Sequence, residues 1–221
     1  MVTLGDHVSN ADRLRGAVKR LHREKRAAYG NTWKRRGEVG SVIANIARKV
    51  DRLELAATGA PVTRDEGVAD TVVDLLVYCL MYQTYLADAD DQIAEQLFRD
   101  DFPPPYSENV NGFEVVLNQL DLSDLDQIPQ NRSLSQAALQ VVAVFNDLDS
   151  CFGYEQESLP SDRFAILVKL TTAVIWTLVV LRSESPALYS SFLDTWGEGA
   201  MPLTLGVVAG QDPESDVRAG W

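Results

Sequence analysis

The chain has 221 residues, 46% of them hydrophobic and 24% charged, with 14 glycines and nine prolines. That balance belongs to a globular chain and excludes collagen-like and low-complexity architectures. The net charge of −12 divides unevenly: residues 1–52 carry 13 Lys/Arg against five acids, a balance of +8, and the remainder carries seven against 27, a balance of −20. A basic arm on an acidic body excludes general coating of nucleic acid by the whole molecule, yet leaves room for a local anion site. The alternative is that the two halves simply attract one another.

Cys79 and Cys151 lie far apart in apolar surroundings, and the two histidines, His7 and His22, form no HExxH pair. A disulfide framework, a CxxC knuckle and a zinc signature are therefore absent, which points to a reducing compartment. Residues 1–12 are polar and lack the apolar centre of a signal peptide. A cytoplasmic location is expected.

Taken in order, the elements read as helices. The β-branched runs sit inside segments of 3.6-residue periodicity, and no Asn-Gly or Asp-Gly hairpin joins two alternating stretches. A first helix spans residues 10–28 and ends at Tyr29-Gly30-Asn31. Thr32 is placed to cap a second running to residue 57, and a third begins near residue 65 and continues to 86 or on to 98. Pro103-Pro104-Pro105 marks the clearest break. Beyond it come a weaker segment over 110–120, a helix over 133–152, a long apolar helix over 161–182, and a short one from Ser185-Pro186 to Gly197. The expectation is an all-α bundle of about six helices with a long apolar central helix. It divides into a basic helical region 1–100, a packing region 106–197, and an irregular tail 198–221.

Residues 164–181 contain Lys169 as their only charge, a length at the lower limit for crossing a membrane. The mid-segment lysine, Thr171, Thr172 and Thr177, and the lack of a basic flank favour a core helix instead, because a central helix needs the same all-round apolarity. No membrane partner is expected.

The third helix carries a misplaced charge. Val72 to Tyr82 reads VVDLLVYCLMY, apolar on every side apart from Asp74. A carboxylate there requires a metal ion, a basic partner or protonation. Glu66 and Asp70 precede it at four-residue intervals along one stripe. On the second helix Val39, Val42, Ile43, Ile46, Val50 and Leu53 form the expected buried face, with Glu54 inside that arc. A second stripe carries Glu38, Asn45, Lys49 and Arg52. Antiparallel packing of these helices would place the acids where a hard divalent cation is held, with Lys49 and Arg52 on phosphate oxygens. The alternative is a structural network in which Asp74 pairs with Lys49 or Arg52.

These residues resemble the nucleotide-modification-associated domain 1 family over residues 25–85. The resemblance lies in Tyr29-Gly30 with Trp33, Lys49-x-x-Arg52-x-Glu54, Glu66-Gly67, and Asp74 with Tyr78. Ala28 stands where that family usually has Asp, and Val77 and Thr71 where it usually has Asn. More distantly the pattern is similar to all-α nucleoside triphosphate pyrophosphatases of the MazG and dUTPase-like type, through Asp51-x-x-Glu54 and Asp70-x-x-x-Asp74. Thr71 replaces the Glu of that pattern, and its opening acidic run is missing.

The resemblance implies divalent-metal-dependent processing of a nucleotide, with hydrolysis of a (deoxy)nucleoside triphosphate as the expected reaction. Glu54, Glu66, Asp70 and Asp74 would hold Mg2+ or Mn2+, Lys49 and Arg52 would act on the phosphates, and Tyr29, Trp33 and Asn45 would contact the nucleotide. No Walker loop, Gly-x-Ser-x-Gly or Cys-His pairing offers another chemistry. The competing reading is a non-catalytic all-α module that binds a nucleotide or protein, with Asp74 in a buried ion pair. The second half can also be read as a diverged, acid-free copy of the first, and the apolar helices leave a homodimer open.

Overall fold

Ser9 opens the first helix by accepting the Asp12 N–H on its hydroxyl at 3.1 Å, and α1 (Asn10–Tyr29) buries Leu14, Ala17, Val18 and Leu21 along one stripe. Gly30, at φ 56°, ends it and donates its N–H to the Arg26 carbonyl at 2.8 Å. The computed structural model describes residues 9–58, 67–99, 101–127, 133–153 and 158–197. Among these it is all-α, with eight α-helices and no strand.

The expected continuous second helix is broken. Thr32–Lys34 forms a 3-10 turn, Glu38–Ile43 a π-helical segment, and only Ala44–Ala57 is α-helical (α2). Gly37, at φ 81°, precedes the π segment, and Ser41 turns its hydroxyl back to accept the Arg36 N–H at 2.8 Å. This local chemistry competes with a regular helical start. α3 (Val68–Ala87) is buried nearly all round, as its sequence requires. It stops well before residue 98, because Asp90 accepts the Gln92 and Ile93 N–H groups at 2.9 and 3.3 Å and starts a separate helix, α4 (Asp91–Leu97). The start expected near residue 65 lies outside the described residues.

α5 (Val110–Gln119) follows the proline run, capped by Asn109. Ser133 and Gln136 exchange side-chain bonds with one another's N–H groups at the head of α6 (Leu134–Ser150). α7 (Pro160–Glu184) and α8 (Pro186–Trp196) both begin at proline, whose missing N–H is harmless there. The tail 198–221 lies outside the described residues.

α2, α3, α7 and α6 close a ring in which each helix packs on two neighbours, with α1, α5 and α8 flanking it. One apolar core runs through the ring and across Pro103–Pro105, joining Leu14 and Val18 of α1 to Leu178 of α7 and Phe192 of α8. α7 is long and apolar enough to cross a membrane by length and composition, and 56% of its most apolar window is buried inside the protein. Thr171 and Thr177 return their hydroxyls to the Leu167 and Ala173 carbonyls at 2.8 and 2.9 Å, and Thr171 also accepts from the Gln83 amide of α3 at 3.0 Å.

Candidate functional site

His22, Lys25, Arg26 and Tyr29 fall at i, i+3, i+4 and i+7 on α1, so one face of its last two turns looks across a gap towards α2 and α3. The gap is a cavity of about 370 Å³. From the connection come Gly30, Thr32 and Trp33; from α2 come Asn45, Arg48, Lys49 and Arg52; from α3 come Asp74, Val77, Tyr78 and Met81. Contacts between the second segment and α3 run in opposite order, Glu38 with Tyr82 and Lys49 with Asp74, so the pair is antiparallel.

Asp74 is the centre of this arrangement and is only 6% exposed. Lys49 reaches its Oδ2 at 2.8 Å, and Lys25 pairs with its Oδ1. Three helices are thus tied through one carboxylate, each oxygen of which accepts from an ammonium group. Burial first, and then the Asp74 charge, raises the Tyr78 hydroxyl above its usual value.

The aromatic side is built differently. Trp33 is 7% exposed, meets the Tyr85 ring edge-on at a 6.3 Å centroid distance, and has no partner for its indole N–H among the described residues. Asn45 donates to the Trp33 carbonyl at 3.5 Å and accepts from Arg48, which links the 3-10 turn to α2. Tyr29, 66% exposed, stands at the rim.

The expected site residues therefore separate. Lys49, Arg52, Tyr29, Trp33, Asn45 and Asp74 come together in the cavity. Glu54 does not: it is exposed on α2 and absent from the cavity wall, because it follows Arg52 by two residues and so points about 200° further round the same helix. The π segment at the head of α2 leaves Val39, expected in the core, 56% exposed. Asp70 accepts the Gly67 N–H at 3.2 Å at the head of α3 and stays off the cavity wall. Glu66 lies outside the described residues. Glu38 turns away to accept from the Tyr82 hydroxyl and to pair with Arg163 at 3.1 Å, fastening the π segment to α3 and α7.

Both oxygens of Asp74 already face ammonium groups, and no group of three Asp, Glu, His or Cys side chains is placed to hold a metal among the described residues. The ion-pair network expected as the alternative describes Asp74 as found, with Lys25 of α1 added to Lys49.

His22 and Arg48 entered no sequence-based site, and Lys25 and Arg26 only the basic contact surface that the non-catalytic reading gives the first helix, although the spacing of His22, Lys25 and Arg26 with Tyr29 marks a single helical face. Charges spread around α1 concealed it. Arg23 pairs with Glu114 at 2.6 Å and Arg20 with Glu24 at 3.2 Å, while Lys25 and Arg26 face the cavity.

The fold and site thus define a helical bundle with a cationic, aromatic-walled cavity beside its four-helix ring. No protein-family model, curated protein or solved structure matches the chain.

Proposed function

We propose that the cavity binds a nucleotide, with its phosphates among the cations of α1 and α2 and its base against the aromatic wall. One observation carries this reading: Lys25, Arg26, Arg48, Lys49 and Arg52 converge with Tyr29, Trp33 and Tyr78 on one cavity, in a molecule whose net charge is −12. Like charges gathered against the sign of the whole molecule repel one another, and an anion relieves that repulsion. The volume suits a small ligand, whose sites begin at about 300 Å³. Guanidinium groups offer forked donors to phosphate oxygens, and flat aromatic faces offer stacking.

In this reading Asp74 organises the site. It holds Lys25 and Lys49 in place, and phosphate oxygens would meet the outer faces of those ammonium groups. Binding is the function these residues support best.

The test is titration of the purified protein with a panel of NTPs and dNTPs, with and without Mg2+ or Mn2+, read by calorimetry and thermal shift and followed by product analysis. At a ligand concentration 100 times Kd, stabilisation of about 2.7 kcal/mol is expected. Tyr29→Ala and Arg48→Ala alter exposed groups at the cavity and should weaken binding about tenfold, equivalent to about 1.4 kcal/mol, without unfolding the chain. Pyrophosphate and a monophosphate among the products would extend the reading to hydrolysis. Absence of binding with every nucleotide would overturn it.

A further inference from the structure

His22 is the one histidine among the described residues, and it sits in an unusual place. It is 3% exposed on the buried stripe of α1, yet it forms part of the wall of the cationic cavity. Its ring lies parallel to Phe113 of α5 at a centroid distance of 3.8 Å, which fixes its plane. Its Nδ1 is buried with no hydrogen-bond partner. Buried polar atoms are paired in the great majority of cases, so an unpaired one calls for a physical account.

The charges around it favour a neutral ring while the cavity holds protein alone. On its own helix are Arg23, Lys25 and Arg26. Arg23 is engaged with Glu114 of α5, and Arg26 donates to the Ser107 and Glu108 carbonyls of the preceding turn. Across the cavity α2 contributes Arg48, Lys49 and Arg52, and α3 contributes Asp74, already shared by two lysines, with Tyr78 beside it. No carboxylate among these is placed by the structure on the imidazole. Burial first, then Arg26, then Arg23, holds the ring down to about 4 from its ordinary 6.5.

We propose that His22 is a ligand-coupled proton acceptor of this pocket: it is neutral in the unliganded protein and takes up a proton when a phosphate-bearing anion enters, adding a charged donor to the site. This rests on the anion-binding reading of the cavity and deepens it, since it predicts preference for the most highly charged phosphate. The argument is electrostatic. Arg26 lines the cavity and disfavours the imidazolium, so an anion beside Arg26 offsets that field and itself favours the protonated ring. The proton comes from solvent.

By linkage, affinity rises as pH falls from above the His22 midpoint of the complex towards that of the free protein, by up to about tenfold per unit. Sulfate is the suitable probe because it does not itself titrate in this range. With only His7 and His22 in the sequence, imidazole resonances of the full chain can be followed directly by NMR, and loss of one set in His22→Gln assigns them. The Trp33 indole N–H reports binding independently. With saturating sulfate, and again with pyrophosphate, the His22 midpoint should move up by at least one unit, and the gain in sulfate affinity from pH 7 to pH 5 should vanish in His22→Gln. Movement of Trp33 with a stationary His22 midpoint would overturn the proton coupling and leave the anion site intact. No response of Trp33 to sulfate, pyrophosphate or any nucleotide would remove both.

Discussion

At the scale of single residues, Asp74 shows how a charge is retained in an apolar helix. Lys49 approaches it with a side chain only 12% exposed, whereas Lys25 is 38% exposed and remains in part hydrated. The Lys49 contact therefore carries most of the energy, and the Lys25 contact is discounted for solvent screening. Asp74→Asn removes the buried carboxylate charge that two ammonium groups share and should lower unfolding free energy by about 3 kcal/mol. Pairing that change with Lys49→Met should restore at least half of the loss, because an apolar side chain needs no counter-ion. Urea denaturation of the single and double variants measures both quantities. A loss below about 1 kcal/mol in the single variant would show that Asp74 is dispensable to the fold. The oddity of Asp74 was legible because every neighbour at helical spacing is apolar. Lys25 as its second partner was not, since the two are 49 positions apart and α1 carries basic residues on several sides.

Single elements behave according to local competition between hydrogen bonds. The run from Glu38 is helical by periodicity, yet Gly37 and Ser41 give it a π-helical start, and Glu38 is drawn to Tyr82 and Arg163. One changed turn at the head of the segment was enough to misplace Val39 by sequence reasoning. α5 offers a sharper case. Gly112 lies in its first turn, and a Cβ there would come within 2.1 Å of the Tyr106 carbonyl oxygen in the 3-10 turn Tyr106–Glu108. Within a helix Gly→Ala ordinarily stabilises by up to about 1 kcal/mol. Here the clash is with backbone, which cannot swing aside, so Gly112→Ala should destabilise by about 1–3 kcal/mol. A lower urea midpoint at unchanged slope is the expected signature. A raised midpoint would mean that the turn yields freely.

For the molecule as a whole, charge and core point the same way. Arg23 with Glu114, Lys34 with Glu108 and Asn10 with Asp126 fasten the basic N-terminal region to acidic groups further along, as electrostatic attraction between the halves requires. Beneath these contacts α2 packs on α6, and α3 on α7, so each half covers apolar surface of the other. Chains cut at the proline run, 1–102 and 103–221, should each lack the amide dispersion and cooperative melting of a folded domain, and should regain both when co-expressed. Heat should unfold the intact chain in one transition. A folded, cooperatively melting 1–102 fragment would show instead that the N-terminal region is an independent domain.

What the sequence determined by itself was the content of each segment: helical periodicity, capping residues, all-round apolarity in α3 and α7, and one carboxylate that needed a partner. These follow from interactions within a few turns of a chain, and they yielded the all-α class and most helix boundaries. The tertiary structure alone decided which charges meet. It brought Lys25 and Lys49 from two helices onto Asp74, closed α1 over α2 and α3 to form the cavity, and set His22 in its wall. Helix rotation makes that difference: each residue turns the helix by about 100°, so one irregular turn at Glu38–Ile43 redirects every side chain before it. Periodicity records which residues share a face, and only packing determines what that face meets.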